Sequence, residues 1–304
     1  MDKNNRIMKA GLILIGVTLI LSVCTILFLK IKEPVFLKHY YEHKVYLQNE
    51  GDLFYSVGLD SPIKLQYITN ISDDKSVIGI AFKEAPSLYV HASEYQPTNF
   101  GMFYSSSNNN TLGINIGNYS LRTVYLTLDI PVDSMPDQLE LSEATLLFSG
   151  QINGRKEKEV NIGKLILYRD ELSSRGYLKQ NRASSSSTGE SDKSFEILDN
   201  IKIKSIDSPF LDKLKDYINL KINNKEYTAV NGKDYKRGDT LYVSNSLNPN
   251  VRENFPFIKF EIYPRLYYQN SQGNTYYEPL FHISNDNYNN PSFLDIIKYV
   301  KFNQ

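Results

Sequence analysis

Residues 10–29 run for 20 positions without one charged side chain, and Leu, Ile and Val make up most of them. A helix of that length spans about 30 Å at 1.5 Å rise per residue, the thickness of a bilayer's hydrocarbon core. Its polar side chains, Thr18, Ser22 and Thr25, carry hydroxyls that can bond back to the helix, so nothing is stranded in lipid. The run therefore predicts a transmembrane helix, with the lipid bilayer as its partner through residues 10–29. Lys3, Arg6 and Lys9 precede it, and Lys30, Lys32, Lys38 and Lys44 follow, so the positive-inside count is close to a tie. The layout decides: a short basic head, a long apolar run and a large polar remainder, with no small-x-small cleavage site after the run, predict an uncleaved signal anchor. Residues 1–9 are then a cytoplasmic head, and residues 35–304 lie outside the cytoplasm at the cell membrane.

Cys24 is the single cysteine. The stretch Leu21-Ser22-Val23-Cys24 resembles a bacterial lipoprotein signal, whose cysteine is lipidated after cleavage. That family prefers a small residue where Val23 stands and a polar tether where Thr25-Ile26-Leu27-Phe28-Leu29 continues the apolar run, so a cysteine buried among lipid tails is the better reading. A pilin-like reading lacks the acidic residue such subunits carry near the start of their apolar helix. With Cys24 in the membrane, the rest of the chain has no thiol for a disulfide or a thiolate metal site. A thiol-free outer portion of this size, with ample length for a buried core, suits a bacterial cell-envelope protein. Lys and Arg number 34 against 34 Asp and Glu, a balance that gives no basis for nucleic-acid binding.

Beyond the apolar run, period-2 alternation recurs. Val124, Leu126, Leu128 and Ile130 alternate with Thr123, Tyr125, Thr127 and Asp129, after Leu112, Ile114 and Ile116 alternate with Gly113, Asn115 and Gly117. Ile63, Leu65 and Tyr67, and then Ile78, Ile80 and Phe82, repeat the pattern, which predicts antiparallel sheet with one wet face. A second hairpin is expected over residues 139–168 around Ser149-Gly150-Gln151-Ile152-Asn153-Gly154. Its return strand changes phase between Val160 and Ile162 and then Leu165 and Leu167, which predicts a β-bulge at Gly163. Residues 170–194 turn polar, with Ser184 to Ser187 consecutive, and read as a linker or mobile loop.

Strand patterns then resume at Ile201 and Ile203, at Ile218, Leu220 and Ile222, at Leu241 and Val243, and at Ile258, Phe260 and Ile262. Ser208-Pro209 followed by Phe210, Leu211, Leu214 and Ile218 reads as a short capped helix. Ser292 with Asp295 predicts a capping-box start to a second short helix through about Val300. The expected architecture is all-β: an N-terminal transmembrane helix, then two antiparallel β-sandwich-like domains at 30–169 and 195–304, with at most one or two short helices.

One motif carries potential chemistry. His39-Tyr40-Tyr41-Glu42-His43 spells H-x-x-E-H and resembles the inverted zinc-peptidase signature of the inverzincins. On a helix the two His would share one face, and the resemblance implies zinc held by His39 and His43 with Glu42 as general base. The competing reading is a connector just outside the membrane whose rings sit at headgroup level. His91 and His282 are single histidines with no visible triad partner. The chain has no G-x-S-x-G elbow, phosphate loop or dinucleotide fingerprint, so no catalytic residue and no cofactor are assigned. Asp73-Asp74 and Asn285-Asp286-Asn287 offer oxygen ligands for calcium but read as turns. Asn70-Ile71-Ser72, Asn109-Asn110-Thr111 and Asn118-Tyr119-Ser120 match the N-glycosylation pattern and read as loops and strand ends.

Tyrosine is conspicuous, at 23 residues beside 15 Phe and no Trp. Tyr267-Tyr268 and Tyr276-Tyr277 flank a turn, so a hairpin would place one cross-strand aromatic pair on each face. Outward rings would be a partner-binding surface. The expected function is a membrane-anchored extracytoplasmic binding or scaffolding protein, non-enzymatic, with a protein or wall-polymer partner. The alternatives are a zinc-dependent peptidase at His39, Glu42 and His43, or an accessory subunit of a membrane-bound secretion or wall-synthesis assembly.

Overall fold

The computed structural model describes residues 2–50, 54–59, 62–95, 113–131, 136–150, 154–169, 176–186, 189–248, 257–285 and 291–303. Asn109-Asn110-Thr111, Asp286-Asn287, residues 151–153 and residues 170–175 lie outside them. Helix α1 runs Asp2–Leu29, and its segment Met8–Leu29 is long and apolar enough to cross a membrane, its most apolar stretch having mean hydropathy 2.9. The hydroxyls of Thr18, Ser22 and Thr25 each donate to the carbonyl four residues back, at 2.8 Å, which satisfies them within the helix.

Strands follow in chain order: β1 (Val35–Phe36), β2 (Lys38–Glu50), β3 (Phe54–Leu59), β4 (Ile63–Asn70), β5 (Ser76–Phe82), β6 (Tyr89–Ser93) and β7 (Ile114–Ile116). Next come β8 (Tyr119–Pro131), β9 (Gln138–Gly150), β10 (Gly154–Arg169), β11 (Leu178–Ser185), β12 (Ser191–Ile197), β13 (Ile201–Asp207) and β14 (Ile218–Ile222). The last are β15 (Lys225–Glu226), β16 (Asp234–Tyr235), β17 (Thr240–Leu247), β18 (Ile258–Ile262), β19 (Arg265–Asn270), β20 (Thr275–Pro279) and β21 (Ile283–Ser284). Helix α2 (Phe293–Asn303) follows them. The described residues thus give an all-β architecture with one apolar N-terminal helix.

Most of the alternation reads through to burial. Ile63, Leu65, Tyr67, Val124 and Leu126 are fully buried, and β4 pairs antiparallel with β8 over the whole of its length. β7 and β8 meet in a hairpin across Gly117 and Asn118. β5 departs from the expected phase: its register on β9 shifts between Val77 and Gly79, so Val77 is buried and Ile78 is exposed. The bulge expected in β10 is present. Its pairing with β9 shifts between Asn161 and Leu165, and Gly163 has φ +98°. The Asn161 Oδ1 accepts the Gly163 N–H at 3.0 Å, closing the kink locally.

The structure differs from expectation in three places. The described part of 170–194 is an antiparallel hairpin of β11 and β12, not a linker. Leu178, Phe195 and Ile197 anchor it in the core, while Lys179 to Ser185 are exposed on both faces. A hairpin wet on both sides needs no apolar alternation, so its composition resembles a loop. Second, the C-terminal strands are not all apart from the first sheet: β18 joins it by pairing parallel with β2, Ile258 opposite Lys38. β10 also pairs parallel with β2, on its other edge. Third, residues 209–217 form successive turns; Leu214 donates to the Phe210 carbonyl at 3.0 Å, but no regular helix forms.

The paired strands β2 and β10 therefore face two cores. Tyr41, Val45, Leu165 and Leu167 point into one, with Ile63, Leu65 and Phe148. Ile166 and Tyr168 point into the other, with Phe195, Phe210, Phe260 and Leu266, and Tyr40 packs on its margin. A third, smaller core gathers Ile31, Leu37, Ile68 and Tyr119 with Ile296 and Val300 of α2. It fixes the exit of α1: Asn70 both accepts from the Ile31 N–H and donates to its carbonyl, and the Tyr119 hydroxyl donates to the Leu29 carbonyl at 2.7 Å. The capping box of α2 forms as expected, Ser292 Oγ donating to Asp295 Oδ2 at 2.5 Å and accepting from the Asp295 N–H at 3.2 Å.

Candidate functional site

The motif at 39–43 lies in β2, inside a sheet, rather than on a helix or in a connector at headgroup level. Successive side chains of a strand point to opposite faces. His39 and His43 consequently share a face with Tyr41, and Glu42 points to the other side. This removes the one-face arrangement of two ligands and a base that the inverzincin likeness required. Neighbouring strands on both edges bury all three residues almost completely.

His39 is occupied at both ring nitrogens. Its Nδ1 meets the Ile162 carbonyl at 2.8 Å, and its Nε2 accepts the Gln66 N–H at 2.9 Å. That pair of contacts fixes the neutral tautomer with the proton on Nδ1. Burial pulls its pKa down to about 4, opposed by the hydrogen bond to Ile162 and assisted by the Lys259 charge. The ring stitches β2 to β4 and β10.

On the other face, the Glu42 carboxylate accepts from the Ser208 hydroxyl and, at 3.2 Å, from the Tyr263 N–H. Burial raises its pKa, and those two hydrogen bonds and the Arg265 charge only partly offset the effect. Glu42 thereby ties β2 to the turn before Phe210 and to the end of β18.

His43 belongs to a different group. Glu261 on β18 stands 3.9 Å from His43 Nε2 and 2.9 Å from His282 Nε2, and it accepts the Tyr263 hydroxyl at 2.8 Å. The Tyr263 and His282 rings stack with centroids 4.9 Å apart. Burial would raise the Glu261 pKa, but the His282 hydrogen bond, the two histidine charges and the Tyr263 hydroxyl together hold it at about 2. His282, solitary in the sequence, gains its carboxylate partner through the β18–β21 pairing. Among the described residues no group of three or more His, Cys, Asp or Glu is arranged to hold a metal ion.

The tyrosine doublets form the expected hairpin. Tyr267 faces Tyr277 with ring centroids 6.0 Å apart, and Tyr268 faces Tyr276 at 5.9 Å. The second pair is inward: Tyr268 is fully buried in the core and accepts the Tyr177 N–H at 3.0 Å. The first pair is half-buried on the opposite face beside Arg265, whose guanidinium lies 3.9 Å from the Tyr168 ring centroid. Of these four, Tyr267, Tyr277 and the partly covered Tyr276 present ring surface to a partner.

Sequence reading missed a polar groove of about 440 Å³ on the five-stranded sheet β11-β12-β17-β14-β15. Ser184, Asp192, Asn219, Lys221, Tyr242 and Ser244 line it. The inward positions of β14 and β17 are Leu220, Ile222, Leu241 and Val243, so the alternating positions Asn219, Lys221, Tyr242 and Ser244 form the outer face. Ser184 Oγ donates to Asp192 Oδ1 at 2.5 Å, fixing one wall. The signal is present as the polar half of each alternation, but a Ser run has the composition of a linker.

No protein-family model and no curated protein matches the chain. Among solved structures the chain is similar to a protein of unknown function from Porphyromonas gingivalis W83, at 9% identity over 78% of this chain and 94% of that chain. The TM-score is 0.24.

Proposed function

We propose that this chain is a single-pass protein of the bacterial cell envelope whose β portion lies outside the cytoplasm and acts by binding or scaffolding, without catalysis. The observation that carries the reading is the segment Met8–Leu29 of α1, whose most apolar stretch has mean hydropathy 2.9 and is not buried against the rest of the chain. Such a surface in water would be a large uncompensated apolar area, and lipid is the medium that relieves it. The zinc-peptidase alternative loses its support because His39 spends both ring nitrogens on backbone and Glu42 points away from the histidines.

The outer face of the five-stranded sheet is the binding surface this reading favours. Hydroxyls, amides and one exposed tyrosine along a shallow groove suit a hydroxyl-rich wall polymer, with Tyr242 as the flat apolar platform. The Tyr267–Tyr277 pair beside Arg265 offers a smaller patch suited to a protein partner.

Two measurements test the proposal. Protease added to intact cells should digest the β portion; protection in intact cells with digestion after lysis would overturn the placement. Detergent-solubilised full chain should co-sediment with purified cell wall, and Tyr242→Ala together with Asn219→Ala should weaken this at least several-fold. Equal retention of the double variant would remove the groove from the account, and no retention of the native chain would remove the polymer.

A further inference from the structure

Helix α2 is tied at both ends to the last turn of α1. The Lys301 ammonium stands 4.4 Å from the Phe28 ring centroid. At the other end the Phe293 ring packs on Tyr119 with centroids 5.7 Å apart, and it is the Tyr119 hydroxyl that donates to the Leu29 carbonyl. Between them the Tyr299 hydroxyl donates to the Phe36 carbonyl at 3.0 Å. An 11-residue helix is only about 16 Å long. Its whole length therefore stays close to the level at which α1 ends.

Ile296 and Val300 are buried in the third core, which fixes the face of α2 that looks outward. That face carries Leu294, 66% exposed, then Lys298 and Lys301, then Phe302, 91% exposed. Large apolar side chains at both ends of a basic stripe are poorly matched to water but well matched to a lipid interface. The segment leaving α1 adds to it. Lys30, Lys32 and Lys38 are exposed, and among the described residues none of them has an ion-pair partner. The nearby Glu33 is already held by Lys158 at 3.0 Å and Lys156 at 3.8 Å. Lys32 and Lys38 border a groove of about 720 Å³ that runs beside Phe36 and Tyr299.

We propose that this end of the molecule is a seat on the membrane surface for anionic phospholipid: α2 lies in the headgroup layer with Phe302 at the acyl boundary, and the lysines of α2 and of residues 30–38 take lipid phosphates. The inference rests on the reading that α1 spans the membrane. Continuity with α1 and the surplus of unpaired lysines select lipid over a protein as the occupant.

The chain lacks Trp, so a single introduced indole reports its own surroundings. Full-length Phe302→Trp and Leu19→Trp are reconstituted in phosphatidylcholine vesicles with brominated acyl chains, with and without phosphatidylglycerol. Both indoles should be quenched, and the Trp at 302 more strongly when phosphatidylglycerol is present. Lys298→Gln and Lys301→Gln should each shift the seated population toward water by about fivefold. Inorganic phosphate at matched ionic strength should leave the quenching unchanged; competition by it would mean a soluble-anion site and overturn the lipid assignment. If the indole at 19 is quenched and that at 302 is not, the seat falls while the span stands. If neither is quenched, both fall. A blue-shifted but unquenched indole at 302 would mean that protein, not lipid, covers this face.

Discussion

A neutral histidine sealed between strands is a stability element with a pH signature. His39 has a folded pKa of about 4 against an ordinary value of 6.5, so between those values the unfolded chain binds a proton that the native chain refuses. Stability should therefore be full above pH 6.5, fall as pH drops toward 4, and lose about 3 kcal/mol in total across that window. Glu261 acts in the opposite chemical sense and at lower pH. Its folded pKa of about 2 means its contribution is complete above about pH 4.5 and lost as pH falls through 2. Denaturant melts of the native chain and of His39→Gln, from pH 4 to 7, separate the two. Gln can still donate and accept but does not titrate, so its slope between pH 6.5 and 4 should be shallower; an unchanged slope would exonerate His39.

At the scale of elements, Gly163 is a point of close backbone approach. A Cβ there would lie 2.2 Å from the His39 carbonyl oxygen and 2.4 Å from the His39 nitrogen, on top of a φ that L side chains rarely adopt. Gly163→Ala should cost about 2–4 kcal/mol, read as a lower denaturation midpoint at unchanged m. A cost under 0.5 kcal/mol would mean that the kink relaxes freely. This bulge was legible in the sequence because a phase change with a glycine at the switch is a local signature. So were the cross-strand tyrosines, the capping box of α2 and the buried faces of β4 and β8. What escaped was non-local or disguised. Parallel pairing of β18 with β2 joins residues about 220 positions apart and leaves no mark on either segment. The β11–β12 hairpin hid because serines pair through backbone while their side chains stay wet. The H-x-x-E-H spelling misled for a related reason: spacing has chemical meaning only on a known element, and a strand gives it a different geometry from a helix.

For the whole molecule, the shared strands make the proposed division at residue 169 a poor place to cut. A fragment of residues 30–169 would leave Ile166, Tyr168 and Tyr40 without the core they now face, and it would open the edge of β2 that β18 covers. Such a fragment should be aggregation-prone and show little dispersion in its amide NMR spectrum, whereas residues 30–304 should give a dispersed one. A well-dispersed short fragment would restore two independent units.

The same pairing sets the order of events at birth. β2 is among the first strands to emerge after α1, yet the neighbour that completes its edge emerges about 220 residues later. Loop closure over that distance is slow, so each newly made chain waits half-assembled while synthesis proceeds. A chain truncated ahead of residue 258 should therefore keep that edge of β2 uncovered, open to pairing with another chain.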